Sequence, residues 1–303
     1  MSLFRFIVNP AAGRGRAGKM IEELEREISR SQLHHTLELT AGAGDARSFA
    51  SRAGNTDTVV AVGGDGTVNE IVNGLVESRA TLATVALGSG NDFARMLRVH
   101  PGINGLREYL TQGRREQVDL GCIKFQRKDG SKSERYFANG LGIGFDAEVS
   151  IQSRRIKYLT GLPLYLLALF RTLPTYRAKH FRIEIDGQTD ERSCFLICVG
   201  NGAYEGGGFK LNPDARITDG WLDVCMVDSV SVTRALRVLP SVISGAHIRH
   251  PEVRLRRARR IVVGAAAPFA AHIDGEILGN DLVSLSASVV PGAVNVISWN
   301  GAP

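Results

Sequence analysis

Nowhere in its 303 residues does the chain hold a stretch of uncharged apolar residues long enough to span a bilayer as a helix, which takes about 18 or more. Its N-terminus has no basic segment followed by an apolar core, so no secretory leader is expected. These two absences predict a chain that is soluble, or at most peripheral to a membrane. Cysteine is scarce: Cys122, Cys194, Cys198 and Cys225 show no metal-ligand spacing, and neither do the seven histidines. Cys194 and Cys198 lie four apart in a strand-like run, where alternation puts them on one face, and buried thiols in a reducing cytoplasm are the expectation. No internal repeat, low-complexity tract or long linker is present.

What is there describes an ordinary folded protein. Apolar residues make up 44% and charged residues 22%, and the length suits two domains with a sizeable core. A net charge of +6 and a pI near 9.3 point to anionic partners, but a membrane surface, a nucleic acid and phosphorylated ligands all fit.

The first third alternates strand and helix signals. Strands are expected at Leu3 to Val8, Thr36 to Leu39, Thr58 to Val62 and Leu82 to Ala86, with a helix over Met20 to Ile28 and another after Val62. Such alternation implies a parallel sheet with helices on both faces. Ligands of such sheets bind beyond the carboxyl ends of the strands, where Asn9, Thr40, Gly63 and Ser89 stand, so these four loops should face one crevice. From about Val118 the pattern changes to short alternating runs, Phe181 to Asp186, Cys194 to Val199, Leu222 to Val227 and Arg259 to Val263, an antiparallel signature of a sandwich or barrel. Within it Ile156 to Leu173 reads as a mostly apolar helix interrupted by Gly161 and Pro163.

Gly63 to Glu70 read Gly-Gly-Asp-Gly-Thr-Val-Asn-Glu between a β-branched run and the apolar pattern Val68, Ile71, Val72, Leu75 and Val76. That spacing predicts a strand, a glycine turn and a helix, whose N-terminal N–H groups can receive phosphate. Asp65 beside bound phosphate would be repelled unless a cation such as Mg²⁺ lies between. Leu87-Gly-Ser-Gly-Asn-Asp92 is a second glycine loop after a strand: Ser89 can bond a phosphate and Asp92 can support a metal-bound water, or Asn91 or Asp92 simply caps the helix Phe93 to Leu97. Gly13 to Lys19 imitates both a dinucleotide fingerprint and a P-loop. Met20 stands where the P-loop needs a hydroxyl, and Asn9 to Ala12 separate the strand from the first glycine. The loop can still hold phosphate through its backbone and Arg14, Arg16 or Lys19, or be a solvated basic turn.

Asp219-Gly-Trp-Leu-Asp223 and His272-Ile-Asp-Gly-Glu276 are the remaining acidic clusters, and Asp274-Gly275 is by itself a strong hairpin signal. A functional reading needs a carboxylate to accept a hydroxyl proton while Mg²⁺ neutralises phosphoryl oxygens. The basic runs Arg154, Arg155, Lys157 and Arg254, Arg256, Arg257, Arg259, Arg260 read as solvated faces, although a basic face beside an apolar helix also suits an anionic bilayer.

Taken in order, these residues carry a resemblance. Asn9-Pro-Ala-Ala-Gly13, Gly63 to Glu70, Gly88-Ser-Gly-Asn-Asp92, Asn139-Gly-Leu-Gly-Ile-Gly-Phe-Asp146, Asn201-Gly202, Asp219 to Asp223 and Asp274-Gly-Glu276 follow the sequence of motifs in the diacylglycerol kinase catalytic domain family. That family includes bacterial soluble diacylglycerol kinases and YegS-like lipid kinases. The match spans nearly the whole chain. Gly-Gly-Asp-Gly-Thr alone is shared with NAD kinases and phosphofructokinase-like proteins, so the ordered set carries the specificity.

The resemblance implies an α/β plus all-β fold. A Rossmann-like ATP-binding domain would cover 1–120, with a last strand at about 290–300 returning to it. An antiparallel β-sandwich over 121–289 would bind lipid and metal, with catalysis in the interdomain cleft. Carried over position by position, Asn9, Pro10, Ala11, Ala12, Gly13, Thr40, Gly64, Asp65, Gly66, Thr67, Val68, Asn69, Glu70 and Ser89 would bind ATP. Asp65, Asp92 and Asp219 would form an acid, water and Mg²⁺ network, completed by the backbone carbonyls of Arg216 and Trp221. Asp274 or Glu276 would activate the lipid hydroxyl, the choice between them staying open.

The implied activity is an ATP- and Mg²⁺-dependent lipid kinase acting on diacylglycerol or a related lipid. The implied partners are ATP, a lipid and, peripherally, an anionic membrane in the cytoplasm; no nucleic acid is expected, and a homodimer stays open. The rivals are an NAD kinase-like phosphotransferase and a non-catalytic nucleotide-binding regulator of the same fold.

Overall fold

The computed structural model describes residues 3–99, 102–156, 158–159 and 161–299. The chain divides into two compact units, Met1–Asp119 with Gly292–Pro303, and Leu120–Pro291.

In the first unit β1 (Phe4–Val8), α1 (Ala12–Lys19), α2 (Ile21–Ser31), β2 (His35–Leu39), α3 (Asp45–Ala50), β3 (Thr58–Gly63), α4 (Asp65–Leu75), β4 (Thr81–Ala86), α5 (Asp92–Met96) and α6 (Leu106–Gln112) follow one another. The strands pair in parallel in the order β2, β1, β3, β4. Every residue of β3 and β4 is buried, as expected of central strands covered on both faces. The helix α2 shows why the helices pack as they do: Leu24, Ile28 and Ser31 are buried at helical spacing while its glutamates face outward. Tyr109 of α6 accepts from Thr84 N at 3.1 Å and donates to Ile297 O at 2.9 Å, and burial pushes its phenol up to about 12.

The second unit holds most of β5 (Arg114–Arg127), then β6 (Lys132–Phe137), β7 (Gly140–Gly144), α7 (Phe145–Ser153), α8 (Gly161–Thr172), β8 (Lys179–Ile185), β9 (Gln188–Gly200), β10 (Leu222–Asp228), α9 (Val232–Ser244), a 3₁₀ turn at Ala246–Arg249, β11 (Val253–Ala258), β12 (Arg260–Ile273) and most of β13 (Glu276–Ser298). The pairings of β6 to β12 are antiparallel. Ile123 and Phe125 of β5 share one core with Val224 and Met226 of β10, so the sheet folds over into two layers. The far end of β13 pairs in parallel with β4, through Asn295 and Val296. An N-terminal parallel α/β layer and a C-terminal antiparallel sheet are the fold class expected from the sequence.

β7 and β8 occupy one slot between β9 and β12. Gly144 pairs with Leu196 and Lys179 with Cys194, so residues 145–178 leave and re-enter a single strand position. A bulge at Phe195 makes the junction, since Val227 pairs with Leu196 but Asp228 with Cys194. The extra residue reverses the alternation. Cys194 therefore joins the sandwich core while Cys198 packs with Leu211 and Cys225, not on one face as four-residue spacing predicts. The expected helix Ile156 to Leu173 is α8, which starts only at Gly161, with Pro163 in the first turn where its missing N–H costs nothing; a separate helix, α7, ends at Ser153. Lys157 and Thr160 lie outside the described residues. The run from Arg254 to Arg257 lies on β11, which pairs with β10 alone among the described strands; charge on an edge strand discourages further pairing.

Candidate active site

Three loops of the first unit converge at the carboxyl ends of its strands. Asn9, just after β1, accepts from Ala11 N at 3.0 Å through Oδ1 and donates to Thr67 Oγ1 at 3.1 Å through Nδ2. Ala12 N donates to Asn9 O at 3.0 Å and Gly18 N to Pro10 O at 3.1 Å, closing the turn. Gly13, with φ +58°, leaves no room for a side chain, since a Cβ would meet Leu87 O at 2.4 Å. Gly64 and Gly88 touch backbone to backbone: a Cβ on Gly88 would stand 2.2 Å from Gly64 Cα. Thr40 N donates to Val8 O at 2.9 Å, beside Asn9.

No side chain caps α4, whose first turn holds Asp65, Gly66 and Thr67. Its N-terminal dipole is thus open to an anion. Asp65 Oδ1 accepts from Phe93 N at 3.1 Å, so Asp65 takes the place at α5 that the sequence offered to Asn91 or Asp92. Asn91 instead braces its own loop, accepting from Gly88 N at 2.9 Å and donating to Gly88 O at 3.0 Å. Asp92 is buried and pairs with Arg95 at 2.6 Å, whereas Ser89 and Gly66 are exposed. Val68 and Asn69 are buried in α4, and Glu70 accepts from Ala46 N at 3.2 Å, anchoring α3.

In the second unit Asp274 and Gly275, with φ +48° and +78°, form the turn between β12 and β13. The Asp274 carboxylate accepts three backbone N–H groups, Ala138 at 2.8 Å and Asn139 and Gly140 at 2.9 Å. Glu276 meets Arg135 through two bonds of 2.9 and 2.7 Å, and that guanidinium holds its carboxyl below the usual range. Asp219 accepts from Trp221 N at 3.1 Å and pairs with Arg257, while Arg257 and Arg259 stack over the Trp221 ring. Arg216 is exposed. Burial pushes Asp223 up, with Asp219 and Asp214 adding to it. An acid-rich loop with carboxylate and carbonyl oxygens is a donor set that suits magnesium, and here Arg257 supplies part of the positive charge it needs.

The sequence reading missed a third group. His272 Nε2 lies 2.9 Å from Asp146 Oδ2 and 3.4 Å from Glu205 Oε1, with all three residues in the second unit. Glu205 also accepts from Cys198 Sγ at 2.9 Å. Burial pushes Glu205 up to about 8, with Asp146 adding. Burial alone would lower His272, but Asp146, Glu205 and Asp274 outweigh it and raise the imidazole to about 9. The 2.9 Å separation is that of a charge-assisted hydrogen bond, so a metal ion could gather these donors only by breaking it. Asp146 and His272 end and begin motifs visible in the sequence; Glu205 carries no local signal. Asp146 and Glu205 stand in the wall of an apolar cavity of about 120 Å³, otherwise lined by residues such as Phe145, Val149, Leu169, Phe195 and Val238.

Residues 4–123 match the diacylglycerol kinase catalytic domain, and residues 140–298 the YegS C-terminal NAD kinase beta sandwich-like domain. A diacylglycerol kinase of Staphylococcus aureus (strain bovine RF122 / ET3-1) is 29% identical over 280 residues, covering 91% of this chain and 86% of that one. Its counterpart in Staphylococcus saprophyticus is 28% identical, with 91% and 89% covered. The crystal structure of a diacylglycerol kinase from Bacillus anthracis str. Sterne superposes with a TM-score of 0.71 at 22% identity, covering 99% of this chain and 97% of that one. Yeast NADH kinase complexed with NADH shares the fold at a TM-score of 0.56 and 11% identity, covering 99% and 84%. Fold and motifs together define a phosphotransferase of the lipid kinase class. The chain belongs to the diacylglycerol kinase catalytic domain family, with a YegS-type C-terminal half.

Proposed function

We propose that the protein transfers the γ-phosphoryl group of ATP to a hydroxyl of diacylglycerol or a closely related lipid, with Mg²⁺. The observation that carries the acceptor's class is the apolar cavity of the second unit, with Asp146 and Glu205 in its wall. A soluble dinucleotide acceptor has no use for such a wall, whereas acyl chains gain about 0.8 kcal/mol per buried CH₂. The uncapped N-terminus of α4 and the closely packed Gly64 and Gly88 support the donor end. In this reading the first unit, with Asn9, Gly13, Thr40, Thr67 and Ser89, holds ATP, and the second binds lipid and metal.

Mg²⁺, when bound, neutralises charge on the phosphoryl oxygens. Asp219 and the carbonyls of Arg216 and Trp221 would hold it. We assign the base to Glu276. Arg135 keeps its carboxylate ionised, the form in which a base starts, while also weakening it as a proton acceptor, and Asp274 is occupied by the three backbone groups it orders. Peripheral contact with an anionic membrane in the cytoplasm belongs to the same reading. The test is an assay of purified protein with ATP, Mg²⁺ and mixed micelles of diacylglycerol, monoacylglycerol and a sphingoid base, with NAD as a separate acceptor. Phosphorylated lipid is expected. Phosphorylated NAD without phospholipid, or ATP binding without turnover on any acceptor, overturns the reading.

A further inference from the structure

We propose that Tyr165 of α8 binds the acceptor: its hydroxyl donates to the ester carbonyl beside the reacting hydroxyl, while its ring walls the apolar cavity. The inference rests on the lipid kinase reading and deepens it, since the acceptor's ester is then recognised as well as its chains.

α8 turns one stripe toward the cavity. Tyr165, Leu169 and, one residue beyond the helix, Leu173 line it at four-residue spacing, and Tyr165 carries the one polar tip of the three. At 1.5 Å per residue the stripe runs about 12 Å. Its polar end lies at the turn that holds the proposed base. A Cβ on Gly275 would stand 3.8 Å from Tyr165 Oη, in van der Waals contact, and Glu276 is the next residue. An acceptor whose chains fill the cavity and whose hydroxyl reaches Glu276 therefore passes the phenol.

A glycine hairpin seats the ring. Gly206, Gly207 and Gly208, with φ +65°, +85° and +125°, form its tip. Glu205 N donating to Phe209 O at 2.8 Å and Phe209 N to Glu205 O at 2.9 Å close it. At Gly206 a Cβ would meet Tyr165 Cε1 at 3.1 Å and Cδ1 at 3.2 Å, with Phe209 Cδ2 at 3.3 Å. Any other residue there would press the phenol out of place, so the backbone of the hairpin sets where the hydroxyl points.

Chemistry names the group it binds. The carboxylates of the cavity wall are engaged within the protein, Asp146 with His272, Glu205 with Cys198 and Glu252 with Arg234. A carbonyl oxygen accepts and cannot donate, so an ester in this place needs a donor, which an ionised carboxylate is not. A phenol donates one bond while accepting another, so Tyr165 can serve the ester and a protein neighbour together. In a diacylglycerol the ester is the polar group next to the reacting hydroxyl, and Tyr165 stands next to the residue proposed to receive that hydroxyl's proton.

The test compares the native protein with Tyr165→Phe, which keeps the ring and loses the hydroxyl. Acceptors in mixed micelles are a 1,2-diacylglycerol and the 1,2-dialkylglycerol with the same chains and no carbonyls. On the diacyl lipid the variant should raise KM about tenfold, with kcat within about twofold and an unchanged thermal midpoint. On the dialkyl lipid the native KM should already be about tenfold higher, and the variant should add nothing. Equal KM for the two proteins on the diacyl lipid, or equal losses on both lipids, overturns the contact. Calorimetry with a short-chain diacylglycerol below its micellar concentration reads the same contact without turnover. Binding about tenfold weaker in the variant, with no phosphorylation by either protein, defeats the lipid kinase reading and leaves the contact standing. Equal binding, or none by the native protein, overturns the contact.

Discussion

Asp274 holds three backbone N–H groups and Glu276, two residues on, holds Arg135, so neighbouring carboxylates have opposite duties. Asp274→Asn turns an NH₂ toward donors it cannot accept from, and should cost about 2–4 kcal/mol, seen as a lower urea midpoint. Glu276→Gln should leave the fold and ATP affinity intact and lower kcat by roughly 10²–10⁴. If Glu276→Gln turns over normally, the base lies elsewhere. The buried trio Asp146, Glu205 and His272 gives a pH signature. His272 is raised from 6.5 to about 9, so its contribution is complete below pH 6.5 and is lost as pH rises through 9. Glu205 is raised from 4.5 to about 8, so the folded state binds the extra proton here too, and stability falls between these values. Melting temperature should therefore decline steadily from about pH 6 to 9, and the decline should be shallower in Glu205→Gln. A flat profile in the native protein would show that the trio does not retain those protons.

At the scale of elements, the glycine loops are positioned by contact more than by flexibility. Gly88→Ala places a methyl 2.2 Å from Gly64 Cα and forces two backbones apart. ATP-analogue affinity should fall at least about tenfold by calorimetry, with a stability loss of about 1–3 kcal/mol; unaltered affinity would remove these loops from the nucleotide site. This loop was legible because strand, turn and helix lie within Thr58 to Leu75, where local pattern determines local structure. The trio was not, because Asp146, Glu205 and His272 are 59 to 126 residues apart and meet only through the pairing of β7 with β9 and β12. The cysteine pair was misread for a related reason: the Phe195 bulge sits where β8 gives way to β7 beside β9, a feature of pairing that one strand's composition does not record.

For the molecule as a whole, the sequence revealed the two kinds of architecture through a change of period, from 3.6 and buried strand runs to alternation of two. It did not reveal that residues 145–178 are an excursion from one strand slot, since a helix pair inserted in a strand looks like any helix between strands. That excursion and α9 wall the apolar cavity, which in the proposed reading receives the lipid acceptor. The most direct test supplies γ-labelled ATP and Mg²⁺ to the purified chain with diacylglycerol micelles and follows the label. Label is expected in phosphatidic acid, lost on chelation of Mg²⁺ and in Asp219→Asn; label that stays in ATP, or passes to NAD and to no lipid, would contradict the assignment as a lipid kinase.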